Sequence, residues 1–102
     1  MYDVVIQSCM KYKKPPLIWD DWNREHIKKH SVTVAEVEEV YAYPLASFEA
    51  KNKKQGLLAK IKNGRILAIF LSFEKQKDPY VVSARDAGDK ERKIVYEQTQ
   101  TN

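Results

Sequence analysis

The chain has 102 residues, 43% of them hydrophobic, which fits a single globular domain and excludes both two independent cores and wholesale disorder. Its 18 basic and 14 acidic residues give a formal net charge of +4, which favours a polyanionic partner, either nucleic acid or an acidic protein, unless it serves solubility only. Cys9 is the only cysteine, which excludes an intrachain disulfide, and without a signal peptide or a membrane-length apolar run we expect a cytoplasmic protein.

Residues 1–16 are predicted to form an extended lead-in. Pro15 and Pro16 forbid a helix at its end, because proline lacks the backbone N–H and restricts the residue before it. The basic run from Lys11 to Lys14 precedes the two prolines. Such a run can contact phosphates, but it is more often a solvated flexible arm.

A short helix is predicted next. Asp20 and Asp21 are both good candidates for its N-cap, because a carboxylate can accept the unpaired N–H groups of the first turn. The helix is predicted to run to His30, with basic residues at its carboxyl end, as the helix dipole favours. His26 and His30 would share one helix face, as metal ligands do, but two histidines without a nearby cysteine favour neither a metal nor a cofactor.

A second helix begins with the clearest local pattern in the chain, the capping box Thr33-Val34-Ala35-Glu36. Apolar residues then recur at helical spacing and predict one buried stripe. Glu36, Glu38 and Glu39 are expected to face solvent, and Pro44 ends the helix. The stripe consists of Val34, Val37, Val40 and Tyr41.

From Leu45 onward the apolar spacing changes and predicts strands over 45–49, 57–61, 66–73 and 80–84. Asn63-Gly64 lies between two of them and predicts a tight hairpin turn in which both residues take a positive φ. The near-continuous apolar run from Ile66 to Leu71 is typical of a central strand that is covered on both faces. These segments predict a sheet of three or four mainly antiparallel strands.

A last helix is predicted after the strands, with Asp89 as its N-cap and Tyr96 near its end, and residues 99–102 are expected to fray. The order of elements predicts one α+β domain over residues 17–98. In it, two N-terminal helices and one C-terminal helix pack on the sheet. We expect the first two helices on one face, because neither can bury its apolar stripe alone.

The richest candidate for chemistry is the junction between the last strand and the last helix. Arg85 ends the strand, and Glu91 and Arg92 follow at the start of the helix. A strand end can present a fixed guanidinium to a phosphate, and Tyr80 and Tyr96 could add a hydroxyl or a stacking surface. The alternative is that Arg85 pairs with a carboxylate such as Glu91 and only ties the strand to the helix.

Several motifs follow one another in a specific order. They are Trp19-Asp20, Ile27 to Val32, the acidic helix Thr33 to Val40, Gly64 to Leu67 at the start of the central strand, and Val82-Ser83-Ala84-Arg85 followed by Glu91-Arg92 and Tyr96. In this order they resemble the BrnT family of ribonuclease toxins from bacterial toxin–antitoxin pairs, over residues 17–97. The resemblance implies a RelE-like fold and metal-independent RNA cleavage, in which the ribose 2′-hydroxyl attacks the adjacent phosphate.

The resemblance also implies roles for individual residues. Arg85 and Lys54 would supply positive charge to the pentacoordinate phosphorane, and Arg92 would anchor a phosphate. Glu91 would be the orienting acid or base, and His30 a proton shuttle. A dimeric BrnA-type antitoxin would cover the apolar and basic face. The further RNA contacts implied are Lys29, Arg65, Tyr80 and Tyr96.

Three positions depart from the pattern of the family. Ser31 replaces a glycine, so the turn before the second helix must avoid or tolerate a positive φ. Tyr80 and Lys54, or Lys53, stand where arginines are usual, and lysine lacks the bidentate fork of arginine. A second hypothesis is therefore a toxin-like fold that has lost catalysis and binds protein or RNA. A third is a structural partner subunit whose charge only keeps it soluble.

Overall fold

The computed structural model describes residues 14–100, which form three α-helices and one four-stranded sheet. In chain order the elements are α1 (Asp21–Lys28), α2 (Val34–Ala42), β1 (Ala46–Ala50), a short turn (Lys51–Lys53), β2 (Lys54–Lys60), β3 (Ile66–Ser72), β4 (Tyr80–Asp86) and α3 (Asp89–Gln100). The strands lie in the order β1-β2-β3-β4, and every neighbouring pair is antiparallel. The α+β class predicted from the sequence is therefore confirmed.

The structure describes the two ends of the chain only in part. Most of the predicted lead-in, residues 1–13, and the final residues 101 and 102 lie outside the described residues. Helix α3 continues through Gln100, two residues into the segment that was expected to fray. Its first residue is Asp89, and the carboxylate that accepts the N–H of Gly88 before it belongs to Glu91.

The sheet separates two apolar layers. On one face, which we call the two-helix face, α1 and α2 cover a core that includes Leu57 and Ile69. On the opposite face, which we call the cleft face, α3 covers a smaller core that includes Leu58 and Val95. Strand β3 contributes to both layers, and its residues 66–69 are at most 2% exposed. The prediction of a central strand covered on both faces is therefore confirmed.

Helix α1 is capped by Asp20, one of its two predicted N-cap candidates, and α2 by its predicted capping box. The Asp20 carboxylate accepts the Asn23 backbone N–H at 2.9 Å, and the Asn23 side chain accepts the Asp20 N–H at 2.8 Å. Thr33 and Glu36 form the reciprocal pair at the start of α2. Asn23 is fully buried, and its Nδ2 donates to the Val81 carbonyl at 3.0 Å. Because a buried amide needs such partners, this bond fixes the start of α1 against β4.

The acidic residues of α2 were expected to face solvent; Glu38 is exposed, but Glu36 and Glu39 are partly buried. Glu36 accepts hydrogen bonds from the Arg65 guanidinium at 3.0 and 3.2 Å. Glu39 accepts one from a backbone N–H of the β2–β3 loop at 2.7 Å, and Glu38 accepts one from the Trp19 indole at 2.8 Å. These carboxylates therefore tie the β2–β3 loop and the segment before α1 to α2.

The turn predicted at Asn63-Gly64 has a different geometry. Gly64 takes a φ of 97°, but Asn63 is not among the residues with a positive φ, so the two-residue turn was wrongly predicted. The loop is longer, because the Ile61 N–H donates to the Arg65 carbonyl at 2.9 Å and closes a hairpin around three residues. Such loops combine an ordinary turn with one left-handed residue, here the glycine.

Positive φ values also occur at residues other than glycine. Asn52 and Lys53 take φ values of 62° and 61° between β1 and β2, and Ser31 takes 58° before α2.

Lys53→Gly and Ser31→Gly are each expected to stabilise the fold by roughly 0.5–1 kcal/mol, because relief of the left-handed strain exceeds the added chain entropy of glycine. Urea unfolding would measure this. Asn52→Gly is the matched control and should change little, since asparagine tolerates this conformation; a destabilised Lys53→Gly would contradict the turn geometry.

Candidate functional site

Helix α3 covers only part of the cleft face and leaves an open cleft of about 460 Å³ beside it. Phe70 and Arg85 from the sheet, Lys54 from the start of β2 and Glu91 from α3 are among the residues that line it. We call it the basic cleft. Its volume lies within the range of roughly 300–1,000 Å³ that is typical of ligand sites.

The floor of the basic cleft is aromatic. The rings of Phe48 and Phe70 meet edge to face, with their centroids 5.9 Å apart. Phe48 lies across Gly56 so closely that a Cβ on this residue would lie 2.2 Å from the ring. Glycine is therefore required at this point of β2. This close approach was not predicted from the sequence, although a glycine inside a strand is typical of it.

A bulge in β4 determines the face on which Arg85 lies. Val82 has no partner on β3, because its neighbours Val81 and Ser83 pair with consecutive residues of that strand. Regular alternation from Val81 would place Arg85 on the two-helix face, since side chains alternate strictly along a strand. With the extra residue, Arg85 lies opposite Ala68 on the cleft face.

Arg85 is held by Glu91 in a bidentate ion pair. Its Nη1 and Nη2 donate to the two carboxylate oxygens at 2.7 and 2.9 Å, and Nη1 also donates to the Asp86 carbonyl at 3.1 Å. The guanidinium carbon lies 5.1 Å from the centre of the Phe70 ring. The tie between strand and helix that the sequence left open as an alternative is thus present in the structure.

This tie leaves part of the Arg85 guanidinium available. A guanidinium has five N–H groups, and three of them make the bonds to Glu91 and Asp86. The Nε–H and one N–H of Nη2 have no acceptor within residues 14–100. The Arg85 side chain is 39% exposed, so a ligand in the basic cleft can reach these donors.

The ion pair also fixes the charge of both partners. The hydrogen bond with Glu91 raises the pKa of Arg85. The hydrogen bond from Arg85, together with that from the Gly88 N–H, lowers the pKa of Glu91. Glu91 is therefore ionised at neutral pH, which makes it a poor proton donor and a weak base. Its geometry fits the orientation of Arg85 better than proton transfer.

Lys54 also lines a second cleft along the sheet, which we call the tyrosine cleft and to which Trp22 and Tyr80 contribute. The Tyr80 hydroxyl donates to the Asp20 carboxylate at 2.9 Å. Burial, with the neighbouring Asp20, raises the pKa of Tyr80 to about 12. The hydroxyl therefore stays protonated at physiological pH and serves as a hydrogen-bond donor that joins β4 to the start of α1.

The other predicted site residues lie outside both clefts. The Arg65 guanidinium donates to the carboxylates of Glu36 and Asp86 and to the Ser31 carbonyl, so it ties the β2–β3 loop to α2 and β4. The structure thus brings together Arg85, Lys54 and Glu91, with Tyr80 in the neighbouring cleft. The residues that it does not bring to them are Lys29 and His30 after α1, Arg65, and Arg92 and Tyr96 on α3.

Within residues 14–100, no three His, Cys, Asp or Glu side chains lie close enough together to hold a metal ion. None of the helices in this range has the length and apolar content that crossing a membrane requires. Comparisons of the chain with family models, with curated proteins and with solved structures found no match.

Proposed function

We propose that the chain is an endoribonuclease toxin of a BrnT-type toxin–antitoxin pair and that the basic cleft binds the phosphate to be cleaved. The observation that supports this is the convergence of Arg85, Lys54 and Glu91 on one cleft with an aromatic floor. A guanidinium and an ammonium suit a phosphate, and aromatic rings suit a base or ribose beside it. The sequence resemblance supplies the choice of RNA and the class of reaction.

In the proposed reaction the ribose 2′-oxygen forms a bond to phosphorus and the bond to the 5′-oxygen breaks. The 2′-hydroxyl loses its proton, the departing 5′-oxygen gains one, and the products carry a 2′,3′-cyclic phosphate and a 5′-hydroxyl. Arg85 and Lys54 stabilise the negative charge that develops on the phosphorane. Glu91 acts as a positioning residue, since it holds the guanidinium through two hydrogen bonds. In the same proposal, a BrnA-type antitoxin inhibits the protein by covering this cleft.

The purified full chain is expected to cut single-stranded RNA in the presence of EDTA and to leave 2′,3′-cyclic phosphate ends. A DNA oligonucleotide of the same sequence should stay intact, because it lacks the attacking 2′-hydroxyl. Replacement of one ribose by deoxyribose should abolish cleavage at that position only. Cleavage of the DNA, or of RNA at the substituted position, would contradict the proposed reaction.

A second candidate function is RNA or protein binding without cleavage. Two observations favour it: three of the five N–H groups of Arg85 are already bonded, and His30, the proposed proton shuttle, lies outside both clefts. RNA binding that weakens steeply with salt, together with intact RNA after prolonged incubation, would support this candidate over the first. Failure to bind RNA at any salt concentration would leave protein binding or the role of a structural partner subunit.

A further inference from the structure

An aromatic stack on α1 adjoins the tyrosine cleft. Trp22 is 57% exposed, and its indole lies nearly parallel to the His26 ring, with centroids 4.7 Å apart and planes 11° apart. His26 meets His30 edge to face at 5.9 Å. The spacing of four residues on α1 brings the rings of Trp22 and His26 together, and His30 follows in the turn after the helix. The indole is therefore held in one orientation while more than half of its surface faces solvent.

The position of this stack connects it to the proposed phosphate site. Trp22 lines the tyrosine cleft together with Lys54, and Lys54 also lines the basic cleft that holds Arg85. The two clefts therefore share Lys54 as a lining residue, with Arg85 in one and Trp22 in the other. A single strand of RNA that places a phosphate at Arg85 and continues past Lys54 would enter the cleft that Trp22 lines.

We propose that Trp22, supported by His26, is a stacking site for one unpaired base of the RNA whose phosphate occupies the basic cleft. This inference rests on the proposed function and deepens it, because it names a subsite for single-stranded RNA. A base would add a third ring to a stack that is already formed. Aromatic platforms of this kind bind bases with little regard to sequence, since every base has a π face.

The charges around the stack favour a base over a phosphate at this point. The groove beside Trp22 carries Lys29, but it also carries the carboxylates of Asp21 and Glu25. Glu25 is already paired with Lys28 at 3.0 Å. The surface is thus close to neutral, so binding there depends on ring stacking, while Lys54 and Arg85 supply the attraction for the backbone.

The test uses the full chain with Trp19→Phe, so that Trp22 is the only tryptophan. The probe is a single-stranded oligoribonucleotide with 2′-O-methyl riboses, which cannot be cleaved by 2′-hydroxyl attack. Binding is expected to quench the Trp22 fluorescence, and Trp22→Ala to weaken binding about tenfold. Trp22→Tyr should restore most of the affinity. Tyr43→Ala, which removes an aromatic ring that is 75% exposed at the end of α2, is the matched control and should bind as the parent does.

The possible outcomes separate this inference from the proposed function. Salt-dependent binding of the probe with unchanged Trp22 fluorescence and no effect of Trp22→Ala would overturn the stacking site and leave the basic cleft as proposed. Absence of any RNA binding would overturn both. If Trp22→Ala keeps its affinity for RNA but loses that for a protein partner, the stack is a protein interface and the inference is wrong.

Discussion

Arg85→Ala is expected to slow RNA cleavage by about 10²–10³-fold, the usual effect of removing one donor that stabilises a developing negative charge. The basis is the two N–H groups of Arg85 that remain without an acceptor within the described part of the chain, beside the open cleft. The rate constant should be measured in single turnover with saturating RNA. Under these conditions a change in rate reports on the transition state and not on weaker binding.

Two further variants test whether the slower cleavage is due to the loss of Arg85 itself and not to the loss of any positive charge. Lys93→Ala removes one positive charge from an exposed position of α3 and should leave the rate within about twofold, since exposed charges outside a site have small effects. Arg85→Lys keeps the charge but loses the fork, and should fall between wild type and Arg85→Ala. Circular dichroism must show that each variant is folded, because Arg85→Ala leaves the partly buried Glu91 without its partner. If Arg85→Ala cuts as fast as Lys93→Ala, the basic cleft is not the site of cleavage.

Features set by neighbouring residues were predictable from the sequence. The N-cap at Asp20 and the capping box at Thr33 follow from hydrogen bonds that span three residues, and both are present. The central strand follows from its unbroken apolar run, because only a strand covered on both faces can bury such a run. The approach of Arg85 to Glu91 follows from their short separation across the junction of β4 and α3.

Features set by distant residues were not predictable. Whether Asn52 or Asn63 takes a positive φ depends on where the strands on either side of each turn stop pairing, and the Asn-Gly pattern indicated the wrong loop. The need for Gly56 arises from a ring on the neighbouring strand, Phe48. The face on which Arg85 lies depends on a single unpaired residue. One extra residue reverses the orientation of every side chain that follows it, and the sequence pattern of β4 does not show that residue.

The bulge in β4 leads to a prediction about the register of the strand. Deletion of Val82 joins Val81 directly to Ser83, and these two residues already pair with consecutive residues of β3. Regular alternation along the shortened strand then keeps Val81 and Ala84 on the two-helix face and Arg85 on the cleft face. Deletion of Val82 is therefore expected to lower the free energy of unfolding by only about 1 kcal/mol or less, the scale of losing one half-buried side chain, and to leave Arg85 in the basic cleft.

Urea unfolding of the deletion variant would measure this change, with Val82→Ala as the control, because that substitution keeps the bulge and shortens the same half-buried side chain. The deletion variant should still cut RNA, and Arg85→Ala should slow it about 10²–10³-fold, as it does in the full chain. A deletion variant that loses its fold, or whose cleavage no longer depends on Arg85, would contradict this prediction. The pairs on either side of Val82 would then not be kept, and the bulge itself would be needed to build the basic cleft.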